Sequence, residues 1–159
     1  MTTLGKLGWL VSLLLTVTLL IGAYMVVVQG SVTAGDDGRT IVLLNKGERI
    51  KVLGEMRGML ETVQTVTEAL AQGDMATVET ASRAVGMAAT ANESPATMAK
   101  LPIEFKTLGF GTHQAWDDLA DLAKSGATVP EVTANLGDLL LNCTACHAAY
   151  QFGPGTATP

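Results

Sequence analysis

Cys143-Thr144-Ala145-Cys146-His147 sets two thiols and an imidazole within five residues near the C-terminus. This is the C-x-x-C-H spacing that attaches c-type haem. Cysteines three apart on a helix point to nearly one side, so both thiols can meet the two vinyl groups on one porphyrin edge. His147 then stands beside the iron as the proximal imidazole. The chain has two cysteines and two histidines in all, and this motif uses three of the four.

Other chemistries fit the same residues less well. A thioredoxin-like dithiol sits at a helix start after a strand, whereas here an apolar-periodic segment leads into the motif. Closed structural zinc needs four ligands. The whole stock of Cys143, Cys146, His147 and His113 would have to converge, although Cys146 and His147 are adjacent. A disulfide between cysteines three apart in a helix is strained.

The N-terminus bounds the compartment. No charge occurs from Leu7 to Gly35, and Leu10 to Val28 is almost wholly apolar. About 20 apolar residues cross a bilayer as a helix. Lys6 precedes the stretch and Asp36-Asp37 follow it, which predicts a cytoplasmic N-terminus and an exported domain. The segment is longer than a signal-peptide core, although Val32-Thr33-Ala34 is a passable cleavage site. We therefore expect residues 1–29 to be a membrane anchor (or signal) and 30–44 a polar tether ending in Ile41-Val42-Leu43-Leu44, a run that can pack on the domain as a turn or strand-like piece. Residues 45–152 form the cofactor domain and 153–159 a flexible tail.

Of the ten basic residues only Lys6 precedes Asp36, while all fifteen acidic ones lie from there onward. No basic stripe is present for nucleic acid. The acidity serves solubility and also suits a basic redox partner. Aromatic residues make up 4% of the chain, which argues against a large aromatic-lined substrate pocket. No second constellation of acid, base or nucleophile stands out, so no enzymatic activity is expected.

Helical spacing and caps predict four helices. The first starts at Asn45 with Glu48 in a capping box and stops at Gly73. The second runs from Asp74 to about Thr90. The third starts at Pro102, with Gly109 and Gly111 weakening its middle, and ends at Ser125-Gly126. The fourth starts at Thr128, and its stripe Val132, Leu136, Leu139, Leu140, Cys143 and His147 turns the motif toward the core. The expected class is all-α, an antiparallel four-helix bundle preceded by a single transmembrane helix. In such a bundle the end of the last helix lies beside the starts of the first and third. The candidates for the sixth iron position are then Leu53, Met56, Met59 and His113. Met56 would ligate through sulfur, while a methionine that only fills space is the competing role.

With C-x-x-C-H in its final turns and Tyr150 three residues on, residues 45–152 resemble cytochrome c-prime and its class II relatives. The resemblance implies a bundle holding one covalent haem c. It matches Arg49 to a residue near a haem propionate and Leu53, four positions later, to the distal residue. Relatives with a non-ligand there keep five-coordinate iron, and relatives with methionine are six-coordinate electron carriers. The chain departs in placing Met56 one turn beyond Leu53, in having Gln151 where the family often has Arg or Lys, and in its anchor. Family members often pair through their first two helices, so a homodimer is one expectation.

Three functions follow as expectations. One is single-electron transfer by a c-type cytochrome anchored in the inner membrane, with its haem domain in the periplasm and a redox protein or membrane complex as partner. The second is NO or CO binding at an open, Leu53-lined position. The third is an accessory haem subunit of a larger membrane redox complex.

Overall fold

The computed structural model describes residues 3–155; residues 1–2 of the expected anchor and 156–159 of the expected tail lie outside it. The described residues are mostly helical, at 76%, which agrees with the all-α class. Helix α1 covers Thr3–Tyr24 and continues as a wider π turn over Met25–Gln29. Gly5–Gln29 is long and apolar enough to cross a membrane, with a mean hydropathy of 2.5, and none of it is buried against the rest of the protein. At 1.5 Å per residue, 25 residues extend about 37 Å, against roughly 30 Å of hydrocarbon.

The remaining elements are β1 (Val32–Ala34), β2 (Thr40–Leu44), α2 (Lys46–Gln72), α3 (Met75–Ala84), α4 (Pro95–Met98), α5 (Ile103–Lys124), α6 (Val129–Ala149) and β3 (Tyr150–Pro154). Local rules set most helix ends. Asn45 accepts the Glu48 N–H and the Glu48 carboxylate accepts the Asn45 N–H, both at 2.9 Å, which satisfies two orphan donors of α2. Gly73 closes α2 at φ 70°, a conformation that glycine adopts without penalty. Asp74 caps α3, and Thr128 with Glu131 boxes the start of α6.

Packing runs α2 on α3, α3 on α5, and α5 on α6. Val66, Leu70, Val78, Trp116, Leu119, Val132 and Leu136 form the core between them. A second, smaller core joins Val42 and Leu44 of β2 to Leu101 and Phe105, with Met56, Cys146, Tyr150 and Phe152 packed against it.

Two expectations need correction, the start of the tail and the end of the second helix. Residues 30–44 are docked, and not only in the apolar run that the sequence offered as a turn or strand-like piece. β1 pairs antiparallel with β2, and β2 pairs parallel with β3, so the segment is folded onto the domain. Its apolar residues explain this, because Val42 and Leu44 are completely buried and that burial favours the docked strand. The flexible tail does not begin at residue 153: Gly153 and Pro154 complete β3, and the Gly155 N–H donates to the Leu44 carbonyl at 2.8 Å. The expected second helix stops at Ala84 rather than near Thr90, and Met87–Asn92 forms a 3-10 turn. Gly86 passes so close to the Asp117 carboxylate that a side chain there would collide, and Asp117 accepts the Met87 N–H at 2.8 Å. Asp117 and Asp121 also pair with Arg83, so the acidic face of α5 is partly neutralised. The third expected helix is one piece, α5, unbroken through Gly109 and Gly111.

Candidate cofactor site

The last two turns of α6 carry Cys143, Cys146 and His147, and the helix ends at Tyr150, whose N–H bonds back to the Cys146 carbonyl. Immediately afterwards the chain enters β3, which lies beside β2 with Ile41 opposite Gln151 and Val42 opposite Phe152. The start of α5 completes the corner. Phe105 meets the Tyr150 ring edge-on at 5.4 Å and the Phe152 ring at 5.7 Å. Such edge-to-face pairs add to the area they bury.

These elements enclose a groove of about 190 Å³. Cys146 and His147 of α6 line it, together with Leu53 and Met56 of α2 and Phe105 of α5. Tyr150, Gln151 and Phe152 of β3 form another wall, and Arg39 borders it from the β1–β2 turn. Three of the seven aromatic residues thus gather at one place in a chain with few of them. That concentration is not visible from composition, which pointed away from an aromatic-lined pocket.

Both cysteines are free thiols and half-buried. Burial pushes the Cys143 thiol above its ordinary value; burial and then the neighbouring Cys143 do the same for Cys146. A redox-active dithiol needs the opposite, a thiolate stabilised by a helix N-terminus or a nearby cation. These thiols sit near a helix C-terminus, where the dipole disfavours negative charge. Among the described residues no three His, Cys, Asp or Glu side chains converge as a closed metal cage would require. Haem needs no such cage, since its porphyrin supplies the equatorial nitrogens and the protein adds only axial ligands. Two half-buried thiols on one helix and an exposed imidazole after them are the donors that group needs. Cys146 and His147 border the groove and Cys143 does not, and at about 190 Å³ the groove is smaller than a whole porphyrin.

The candidates for the sixth iron position separate. Leu53 and Met56 both border the groove, and Met56 packs in the same cluster as Cys146. Met59 and Arg49 do not line it. His113 is held elsewhere, its Nδ1 2.7 Å from the Val85 carbonyl oxygen.

The cation at the groove is Arg39 rather than Arg49. Arg39 donates to Asp37 from Nε at 2.8 Å and to the Gln151 side-chain oxygen at 3.2 Å. Gln151 in turn donates to Asp37 at 3.2 Å. Hydrogen bonding from Arg39 holds the Asp37 carboxyl below its ordinary value. The parallel pairing of β2 with β3 thus sets a guanidinium beside Gln151, the position where a basic residue was missing from the sequence pattern. Arg39 and Gln151 lie 112 residues apart, and no local signal links them.

No protein family, curated protein or solved structure compared with this chain matches it. The resemblance to the class II c-type cytochromes is an expectation drawn from the sequence motif.

Proposed function

We propose that this chain is a membrane-anchored c-type cytochrome. One haem, attached through Cys143 and Cys146 and ligated by His147, would carry single electrons on the periplasmic side of the inner membrane. The scaffold would be an antiparallel four-helix bundle made of α2, α3, α5 and α6. The observation that carries the reading is the C-x-x-C-H pentapeptide on the last turns of α6, with Cys146 and His147 bordering an apolar groove.

When bound, the haem supplies a one-electron couple, and the protein tunes it through axial ligation, burial and charge. The groove residues supply those levers. Met56 offers a thioether in the groove that Cys146 also lines. Phe105, Tyr150 and Phe152 form an apolar wall that limits water. Arg39 offers a cation for an anionic haem edge.

An uncleaved anchor is supported by the sheet. Cleavage after Ala34 would remove β1 from its pairing with β2, and with it Val32, which packs on the small core around Phe105. A tethered carrier also gains effective concentration near membrane partners.

A second reading has its own observation. Leu53 borders the same groove, and a leucine facing the iron with Met56 turned aside would leave the sixth position open to NO or CO. Optical spectra of the purified holoprotein separate the two. Low-spin ferric iron with a sulfur-to-iron charge-transfer band supports electron transfer through a Met56-ligated haem. High-spin iron whose spectrum shifts on adding CO supports gas binding.

A further inference from the structure

The stalk that joins α1 to the domain has almost no slack. Gln29 ends the apolar segment, and Val32 is already the first residue of β1. Only Gly30 and Ser31 lie between, and the three backbone steps from Gln29 to Val32 reach about 10 Å at full extension.

What lies between is locked to the start of α5. Gly30 has φ 66°, and a Cβ there would fall 2.5 Å from the Lys100 carbonyl oxygen and 2.8 Å from the Pro102 nitrogen. The Ser31 N–H donates to the Lys100 carbonyl at 2.8 Å, and the Ser31 carbonyl accepts from the Leu43 N–H at 2.8 Å. Lys106 donates from Nζ to the Val27 carbonyl at 3.0 Å, at the very end of the apolar segment. A lysine there has its ammonium where lipid headgroups begin.

The same end of the domain carries the groove. Phe105, which borders it, is the residue before Lys106. Val32 packs in the cluster that contains Met56, Cys146 and Tyr150. The opposite ends of α5 and α6, at Lys124 and Val129, stand about 30 Å away by helix length.

We propose that the end of the domain bearing the Cys146–His147 groove is apposed to the lipid surface, held there by the rigid stalk. This rests on the reading of α1 as a membrane anchor. A partner would then reach the groove along the plane of the membrane.

Nuclear magnetic resonance of the full chain in lipid nanodiscs tests it, using a gadolinium chelate on the lipid headgroups as the probe. Amide signals from 100–107 and 150–155 should lose most of their intensity, while those from 70–76 and 123–129 keep theirs. Inserting ten Gly/Ser residues between Gln29 and Gly30 should flatten that gradient. A disc-bound chain with uniform loss overturns this inference alone. An unchanged gradient after the insertion overturns the role of the stalk. A chain that fails to stay with the discs overturns the anchor reading, and this inference with it.

Discussion

Phe105 and Tyr150 meet edge-on at 5.4 Å, tying the first turn of α5 to the residue that ends α6. Phe105 also touches Phe152 and is nearly buried. Replacing it leaves a cavity between the two ends that shape the groove. Phe105→Ala should destabilise the domain by about 3–5 kcal/mol in urea unfolding. A loss under about 1 kcal/mol would mean that the aromatic corner does not hold the site together.

Met56 and Leu53 offer two different partners to the iron, and substitution separates them. Met56→Leu should turn a low-spin spectrum high-spin and lower the reduction potential, because thioether ligation raises it. Leu53→Ala should leave the spin state unchanged. An unaltered spectrum in Met56→Leu would remove the thioether from the account while leaving the covalent haem.

Lys100 and Glu48 form a shielded ion pair, 2.7 Å at its shortest, with side chains 19% and 13% exposed. Burial alone would push the Glu48 carboxyl up, but the Lys100 ammonium and the Asn45 N–H more than offset this and hold it below its ordinary value of 4.5. A depressed folded value means that the stabilisation is fully present above about pH 4.5 and is lost as pH falls through the folded value. Thermal unfolding between pH 7 and 3 should show wild type losing more stability than Glu48→Gln. Parallel curves for the two proteins would contradict this.

Gly58 on α2 and Gly153 on β3 should respond in opposite ways. A Cβ at Gly58 meets nothing within 4 Å, whereas one at Gly153 collides with the Ile41 side chain. Gly58→Ala should stabilise the haem-free protein by about 0.5–1 kcal/mol through helix propensity. Gly153→Val should cost about 1–3 kcal/mol by forcing β3 away from β2. A smaller gain for Gly58→Ala in the holoprotein than in the haem-free protein would place the haem against that face of α2.

The helix ends were legible in the sequence because capping is local. Asn45 with Glu48, Asp74, and Thr128 with Glu131 each act within one turn. The early stop of α3 was not legible, because it depends on Asp117, thirty residues away from Met87. The sheet was half legible. Ile41-Val42-Leu43-Leu44 read as an apolar run able to pack as a strand-like piece, but its parallel partner β3 is the far end of the chain and its antiparallel partner β1 is only three residues long. The motif gave Cys143, Cys146 and His147 directly, and helix spacing gave Met56 and Leu53. Arg39, Phe105 and Phe152 reach the groove only through tertiary pairing.

The most direct measurement is a pyridine haemochrome spectrum of the full chain, matured in a host that attaches c-type haem, after denaturation and acidic organic extraction. A c-type spectrum should stay with the polypeptide and be lost in a Cys143→Ala, Cys146→Ala double variant. A wild-type chain that is colourless, or whose haem leaves with the solvent, would contradict the proposed covalent attachment.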